Sequence, residues 1–385
     1  MRRCGAWCIF CLVSLWVAAL PARAQAPVPG RPVPLLRLFE KPGAFPELTP
    51  LKGRPSVEES VLSDDELVVG LQSGSRARCY PLRVLGEHRV LNDRLDDPIV
   101  VTWDVDSSSA RAHLARMGGQ DLTFRFQGWV QGTLLLRDNQ TGSAWSHLTG
   151  YALGGPARGN QLAEVPVQVT TFARWKRRFP TSDLPVLNYA TLYRSSFPRI
   201  SLQLSDGAQR SLPSDDPRLP REALVLGVRQ GGVAKAYPSE RWQGIRTDRV
   251  GGRDIVLVRD DAWTTAVFEP QVDGQPLDLT LLTFEGVPVL AADDGSLFDF
   301  SGRAIAGPLV GRQLPVVSSV EVKWYGWVGL HPQTLVEGQA DQSGGECPPL
   351  LLPAPRRSGT AASPSTTPRQ ARKDRRDARR KSSGR

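Results

Sequence analysis

The chain has 385 residues and 40% of them are hydrophobic, which is enough to form more than one core and excludes a wholly disordered protein. Its 36 glycines, 32 prolines and ordinary charged fraction of 23% are typical of a turn-rich, strand-rich protein and exclude a helical bundle. The net charge of +9 comes from the ends. Residues 356–385 hold eleven Lys or Arg and two Asp, and three arginines lie near the start, so the rest carries about −3 and gives no indication of a nucleic-acid-binding fold.

Residues 1–24 have the pattern of a secretory signal peptide. Arg2 and Arg3 precede an apolar run over 6–20 that is short for a membrane span, and Ala22-Arg23-Ala24 gives a small–x–small cleavage site. We therefore expect a secreted or periplasmic protein without a transmembrane segment in the mature chain. An uncleaved membrane anchor is the alternative interpretation.

Only two cysteines follow the predicted signal peptide. Cys79 lies beside a Tyr-Pro pair and Cys347 lies in a glycine-rich stretch. The sequence favours two isolated thiols over a single disulfide, and it predicts no disulfide framework.

The chain repeats short motifs at a distance of about 155 residues, which indicates an internal duplication. The matched pairs are Ala77–Pro81 with Ala234–Pro238, Asp93-Arg94 with Asp248-Arg249, Gly142-Ser143 with Gly295-Ser296, Gly155-Pro156 with Gly307-Pro308, and Trp175 with Trp327.

This repeat, together with the composition, divides the chain into six predicted segments. They are a signal peptide (1–24), a proline-rich leader (25–59), repeat domain one (60–188), a linker (189–221), repeat domain two (222–337), and a disordered connector with a basic tail (338–385). We expect an α+β fold of two tandem strand-rich domains, each with a mainly antiparallel sheet and two short helices.

In chain order, the first copy begins with two predicted strands, Leu67–Leu71 and Ala77–Pro81. The spacing of Val84, His88, Leu91 and Leu95 then predicts one helix over Arg83–Leu95. The later elements are a buried strand at Ile99–Trp103, an alternating strand through Leu122, Phe124 and Phe126, and a short helix that carries Phe172, Trp175 and Phe179.

In the second copy, Leu277, Leu279 and Leu281 alternate with polar residues as in a half-buried strand, and Val287–Ala291 follows as another strand. Ser318 and Glu321 have the spacing of a capping box, which predicts a helix that begins before Trp324 and ends at Pro332.

The residues that recur in this order resemble those of a bacterial family, domain of unknown function 3179. The resemblance covers roughly 60–337 and rests on Tyr80–Arg83, His88, Asn92-Asp93, Val100–Trp103, Thr141–Thr149 and Gly155-Pro156 in the first copy, and on Leu226–Val228, Ala236–Pro238 and Gly302–Pro308 in the second.

The resemblance implies a site that this chain has changed. Similar members usually place Cys-Pro-Leu-Cys-Gly after the strand that matches Ile99–Trp103. Two thiolates there, facing the histidine of the adjacent helix, would suit a soft metal or a dithiol. Here Asp104–Ser108 occupies those positions, and Arg259–Trp263 in the second copy also lacks both sulfurs.

The candidate binding site is a remnant polar pocket near these positions, and we assign it no catalytic residue, metal ligand or cofactor. Its members are His88, Asn92, Asp93, Asp104, Asp106, Trp145 and Ser146. The alternatives are a hydrogen-bonded core histidine at His88, a solvated loop or a calcium or aspartyl-phosphate loop at Asp104 and Asp106, and a packing role for Trp145.

The sequence favours an exported, non-enzymatic binding or scaffold protein of the cell envelope. The alternatives are a hydrolase or metal-dependent enzyme that uses Asp104, Asp106 and His88, and a degenerate redox or metal-handling protein. The cationic tail, 356–385, predicts an anionic envelope polymer or other polyanion as partner. A tail that only aids solubility is the alternative, and nucleic acid is disfavoured because the tail has no aromatic residue for base stacking.

Overall fold

The computed structural model describes residues 36–49, 62–73, 76–185, 203–260, 264–339 and 351–352. The predicted signal peptide, the basic tail and Cys347 lie outside these ranges. Each helix within the described part of the chain is too short or too polar to cross a bilayer.

The described helices are short. They are α1 (Leu82–His88), α2 (Phe172–Arg178), α3 (Asp206–Ser211) and α4 (Trp324–Leu330), with a 3₁₀ turn at Ser239–Arg241.

Strands supply most of the structure. Those before the predicted linker are β1 (Leu38–Glu40), β2 (Leu67–Ser73), β3 (Arg76–Pro81), β4 (Val90–Arg94), β5 (Pro98–Asp104), β6 (Ser109–Leu114), β7 (Arg116–Met117), β8 (Gln120–Asp121), β9 (Phe124–Val130), β10 (Thr133–Asp138), β11 (Ala144–Ser146), β12 (Ala152–Gly154), β13 (Glu164–Val165) and β14 (Val167–Thr171).

The strands after the linker are β15 (Leu224–Gln230), β16 (Val233–Pro238), β17 (Gly244–Val250), β18 (Arg253–Arg259), β19 (Thr265–Phe268), β20 (Gln271–Val272), β21 (Gln275–Pro276), β22 (Leu279–Phe284), β23 (Val287–Ala292), β24 (Leu297–Phe298), β25 (Ala304–Ala306), β26 (Ser318–Lys323) and β27 (Leu335–Val336).

The two predicted copies form their larger sheets in the same order. In the first they are β14-β2-β3, β13-β6-β5-β4 and β9-β10-β11-β12, the last extended by β1 from the predicted leader; in the second they are β26-β15-β16-β27, β17-β18-β19 and β22-β23-β24-β25. The pairs are antiparallel except for the parallel contact between β16 and β27. The prediction of a strand-rich, mainly antiparallel protein is confirmed, and the structure is mostly β. The finer division into two α+β domains stays a prediction.

The same glycine–tryptophan packing occurs in both copies. Gly70 on β2 lies against the ring of Trp175 on α2, and Gly227 on β15 lies against the ring of Trp327 on α4. Because neither glycine has a side chain, nothing separates the strand from the indole, and the helix packs directly on the sheet.

A second matched contact is a buried tyrosine bonded to an aspartate. Tyr80 donates to Asp93 at 3.0 Å, and Tyr237 donates to Asp248 at 2.6 Å. A basic residue at the same place in each copy completes the cluster, because Arg78 pairs with Asp93 and Lys235 with Asp248.

The copies are in direct contact. The backbone N–H of Lys323 donates to the Ser107 carbonyl at 2.8 Å, and Arg111 Nη1 donates to the Ser319 carbonyl at 3.1 Å. One compact unit contains both copies and ends at Leu351. The domain boundaries drawn from the sequence therefore stay a prediction, although the units they separate are closely packed.

Two predicted helices are wrong in part. The helix predicted over Arg83–Leu95 ends at His88, because Arg89 has a φ of 65°, and Val90–Arg94 continues as β4. Leu91 therefore lies on β4, and Leu95 follows its last residue directly. Ser318 and Glu321 form no capping box: both lie on β26, which pairs with β15, and α4 begins only at Trp324.

The glycine–tryptophan contacts give a stability test. A Cβ added at Gly70 would lie 2.0 Å from the Trp175 ring, and one at Gly227 would lie 2.3 Å from the Trp327 ring. We expect Gly70→Ala and Gly227→Ala each to lower the free energy of unfolding by about 2 to 3 kcal/mol, because the indole must move. Urea unfolding measures this loss.

Gly274→Ala is the matched control. Gly274 has a φ of 80° and nothing within 4 Å of an added Cβ, so only backbone strain of about 1 kcal/mol is expected. Equal losses in all three variants would contradict the packing argument.

Candidate functional site

The turn between β5 and β6, residues 104–109, is buried, although it consists mostly of polar residues. Asp104, Ser107 and Ser109 have no exposed surface, and Asp106 is 2% exposed. A buried polar group is stable only when it is hydrogen-bonded, so the contacts of this turn define the site. The alternative of a solvated loop at Asp104 and Asp106 is therefore wrong.

A chain of hydrogen bonds leads from Asp104 to His147. Ser107 Oγ contacts Asp104 Oδ2 and lies 2.8 Å from Ser109 Oγ. Ser109 Oγ lies 3.2 Å from His147 Nε2, and Thr102 Oγ1 lies 3.2 Å from His147 Nδ1. We call these five residues the Asp104–His147 chain.

One arrangement of protons satisfies every contact. If Asp104 is protonated, it donates to Ser107, which donates to Ser109, which donates to His147 Nε2. His147 then donates through Nδ1 to Thr102, whose hydroxyl donates to the Arg111 carbonyl at 3.3 Å.

Ionised Asp104 accepts from Ser107, which can then no longer donate to Ser109. Either the Ser107–Ser109 bond is lost, or the chain reverses, so that the His147 proton moves to Nε2 and Thr102 turns its hydroxyl from the Arg111 carbonyl to Nδ1. In both cases the protonated form keeps one more hydrogen bond.

The electrostatics of the site stabilise the protonated form relative to that of an exposed aspartate. The pKa of Asp104 is raised to about 7, with burial as the largest cause and the nearby Asp106 carboxylate as the second. The Ser107 hydroxyl and the Arg89 charge oppose this shift. Burial also holds the pKa of His147 well below its usual range, so the imidazole is neutral at pH 7.

Asp106 has a different set of partners. Its carboxylate accepts from the backbone and hydroxyl of Ser205 at 2.7 and 2.8 Å and from Trp129 Nε1 at 3.1 Å. Ser205 is also the N-cap of α3, where its hydroxyl accepts from Ala208. Asp106 therefore attaches the helix in the predicted linker to the first copy.

The structure separates most of the predicted pocket residues. His88 Nδ1 lies 2.8 Å from the Pro46 carbonyl, Asn92 exchanges two hydrogen bonds with the backbone of Phe124, and Asp93 belongs to the tyrosine cluster.

The other two members are engaged close to β10 and β11. Trp145 Nε1 donates to Asp138 at 2.8 Å, and Ser146 accepts from the backbone of Thr149. Only Asp104 and Asp106 of the predicted set lie in the same turn. A partial signal for the missed His147 was its position directly after Trp145 and Ser146.

A groove lies where the two copies meet. Its volume is about 420 Å³, and its wall combines side chains of β14, α2, β19 and the 300–319 stretch; among them are Gln168, Trp175, Arg178, Phe268, Phe300 and Arg303. We call it the inter-copy groove. It was not predicted, because its wall joins residues more than a hundred positions apart in the sequence.

A smaller cavity of about 50 Å³ adjoins the inter-copy groove. The two share Val167, Thr265 and Ser319, and the smaller one also contacts Trp103 and Ser108. The Ser108 hydroxyl is buried and has no hydrogen-bond partner in the described part of the chain. The shared residues thus link the wall of the groove to the turn that carries the Asp104–His147 chain.

The sequence model of the family described as "Protein of unknown function (DUF3179)" matches residues 43–334. The chain belongs to this family. Comparisons with curated proteins and with solved structures found no match.

The geometry agrees with the way the DUF3179 resemblance aligns the turn. Asp104 and Ser107 stand where the resemblance implies cysteine, and their side chains are in contact. Ser108 stands at the glycine position and has a φ of 56°, in the region that glycine favours. The histidine beside the pair is His147, not His88, since His147 Nε2 lies 3.9 Å from Asp104 Oδ2.

Possible metal ligands are dispersed among the described residues of this DUF3179 protein. No three His, Cys, Asp or Glu side chains there are grouped closely enough to hold a metal ion. Cys79 is buried, and burial raises the pKa of its thiol well above the usual range, which disfavours a reactive thiolate.

The raised pKa of Asp104 predicts a pH dependence of stability. Because the folded pKa, about 7, exceeds the ordinary 3.8, the contribution of Asp104 is present near pH 4 and lost as pH rises through 7. Burial of His113, His147 and His331 acts in the opposite direction, because their lowered pKa values destabilise the fold as pH falls below 6.5. A variant must therefore be compared with the parent at each pH.

Asp104→Asn should isolate the Asp104 effect, since the amide donates to Ser107 as a protonated carboxyl does. We expect the stability of this variant relative to the parent to rise by roughly 2 kcal/mol between pH 5 and pH 8. Urea unfolding at several pH values measures the difference, and ¹⁵N NMR should show the His147 proton on Nδ1 throughout.

The control is Asp273→Asn, at a carboxylate that is 65% exposed. Its stability relative to the parent should not change over this range. If the free energy of unfolding of Asp104→Asn relative to the parent is also constant from pH 5 to pH 8, Asp104 is already ionised at pH 5.

Proposed function

We propose that this protein is an exported, non-enzymatic binding protein of the cell envelope, and that the inter-copy groove holds a small, partly apolar ligand. The groove is the observation that carries the proposal. Its volume of about 420 Å³ lies in the range of small-molecule sites, and its wall mixes aromatic rings with a few polar side chains.

The state of the 104–109 turn supports binding over catalysis. The side chains of Asp104 and Asp106 are buried and hydrogen-bonded within the protein. A hydrolase that used them would have to expose both carboxylates and break these bonds, and His88, its proposed partner, contacts Pro46 instead. The binding proposal requires no such opening.

We also propose that residues 60–188 and 222–337 derive from one duplicated α+β unit. The matched glycine–tryptophan and tyrosine–aspartate contacts support this proposal, as does the shared sheet order β14-β2-β3 and β26-β15-β16. The inter-copy groove would then be a site that the duplication created.

Binding in the groove can be tested with N-phenyl-1-naphthylamine, an uncharged aromatic probe whose fluorescence rises in apolar sites. We expect saturable binding, and we expect Val316→Asp to weaken it by about fivefold or more, because a carboxylate would replace an apolar wall. Val316 lines the groove and is 42% exposed, so the change spares the core.

Val310→Asp is the matched control. Val310 is 63% exposed in the same stretch of chain but does not line the groove. Equal weakening in both variants, or no saturable binding in the parent, would contradict the proposed function.

The basic tail is proposed to attach the protein to an anionic envelope polymer. Residues 356–385 carry +9, and a flexible cationic segment binds polyanions by releasing counterions. We expect the full chain to bind heparin or lipopolysaccharide at low salt, and a chain ending at Pro355 to lose this binding while keeping its Tm. Undiminished binding by the shortened chain would place the adhesive surface elsewhere.

Export is proposed from residues 1–24. We expect the mature protein to begin near Gln25 and to be recovered outside the cytoplasm, because the segment has the n-region, apolar run and cleavage pattern of a signal peptide. N-terminal sequencing of the purified protein checks this. An intact Met1 on soluble cytoplasmic protein would refute it.

A further inference from the structure

The inter-copy groove has an apolar wall on both sides. Trp175 and Phe179 contribute from the first copy, with ring centroids 4.4 Å apart, and Phe268 and Phe300 contribute from the second. Such a surface suits a ligand with an aromatic or aliphatic part, and it does not by itself distinguish between charged and uncharged ligands.

The negative charge of the groove is already paired. Glu164 receives hydrogen bonds from Arg111 Nη1 and from the Ser318 hydroxyl, the latter at 2.6 Å. A cationic ligand would have to compete with the buried Arg111 for this carboxylate, so the groove offers little to a cation.

The positive charge is only partly paired. Arg178 Nη1 donates to Gln168 at 2.8 Å and Nη2 lies 2.8 Å from Asp299, but the buried Nε has no hydrogen-bond partner among the described residues. Arg303 is exposed, and within the described part of the chain its guanidinium forms no recorded hydrogen bond or ion pair. Both arginines line the groove.

We infer that the ligand of the inter-copy groove is an apolar molecule that carries one anionic group, held by Arg178 and Arg303. The inference rests on the proposed function and narrows its ligand class. Arg303 presents exposed N–H donors at the groove wall, and a carboxylate, sulfonate or phosphate there would accept charge-assisted hydrogen bonds from it while facing the partly paired charge of Arg178.

The same conclusion follows from the cost of burying Arg178. Burial lowers the pKa of its guanidinium, and Asp299 offsets this only in part. An anion in the groove would supply the missing counter-charge. Because arginine presents a planar fork of donors, the geometry suits the planar oxygens of a carboxylate in particular.

The test compares two probes of nearly the same shape with the full-length protein. N-phenyl-1-naphthylamine is uncharged, and 1-anilinonaphthalene-8-sulfonate adds one sulfonate to the same rings. Arg303→Gln removes the exposed charge without touching the Arg178–Asp299 pair. We expect it to weaken sulfonate binding by about tenfold and to leave binding of the uncharged probe unchanged within about twofold.

Two precautions isolate the groove. The cationic tail is identical in parent and variant, and titrations in about 0.3 M salt weaken its attraction for the sulfonate. Arg249→Gln, at an arginine that is 69% exposed and does not line the groove, removes the same charge elsewhere and should have no effect.

Each outcome has one meaning. The inference is supported if both probes bind saturably and Arg303→Gln selectively weakens binding of the sulfonate probe. If the uncharged probe binds but Arg303→Gln and Arg249→Gln change the affinity for the sulfonate probe equally, the inference is overturned and the proposed function stands. If neither probe binds saturably, the proposed function fails as well.

Discussion

The turn at residues 104–109 is bonded to three parts of the protein at once. Asp106 holds the cap of α3, the Ser107 carbonyl accepts from Lys323 of the second copy, and Asp104 begins the chain that ends at His147. Because each buried polar group here needs its partner, moving any one of these elements leaves a donor or acceptor unsatisfied. The relative position of the two copies, and hence the wall of the groove beside them, depends on this turn.

This dependence explains why the polar residues of the turn are poor candidates for chemistry. Aspartate and serine stand where the resemblance places thiols, and their oxygens are used to close the fold rather than to meet solvent. The accessible chemistry of the described structure lies instead in the inter-copy groove, where aromatic rings and two arginines are available. The lining of the groove, where binding is proposed, and that of the small cavity beside the buried turn therefore share Val167, Thr265 and Ser319.

Local patterns predicted local structure well. Alternation at Phe124 and Phe126 identified β9, and the apolar run at Ile99–Trp103 identified β5. Prediction failed where one backbone angle decided the outcome, since the left-handed Arg89 ends α1 in the middle of a regular apolar stripe. It failed again for His147 and the groove, because these depend on which distant strands lie side by side, and a single sequence carries no direct signal of such contacts.

The two glycine–tryptophan contacts also restrict how this chain can change. A larger residue at Gly70 or Gly227 needs a smaller partner in place of the indole, while loss of the indole alone leaves a cavity under the sheet. Either first step is unfavourable, so each pair can be replaced only by two nearly simultaneous changes. Positions coupled in this way should diverge more slowly than their surroundings, which would make them durable markers of the common origin proposed for the two halves.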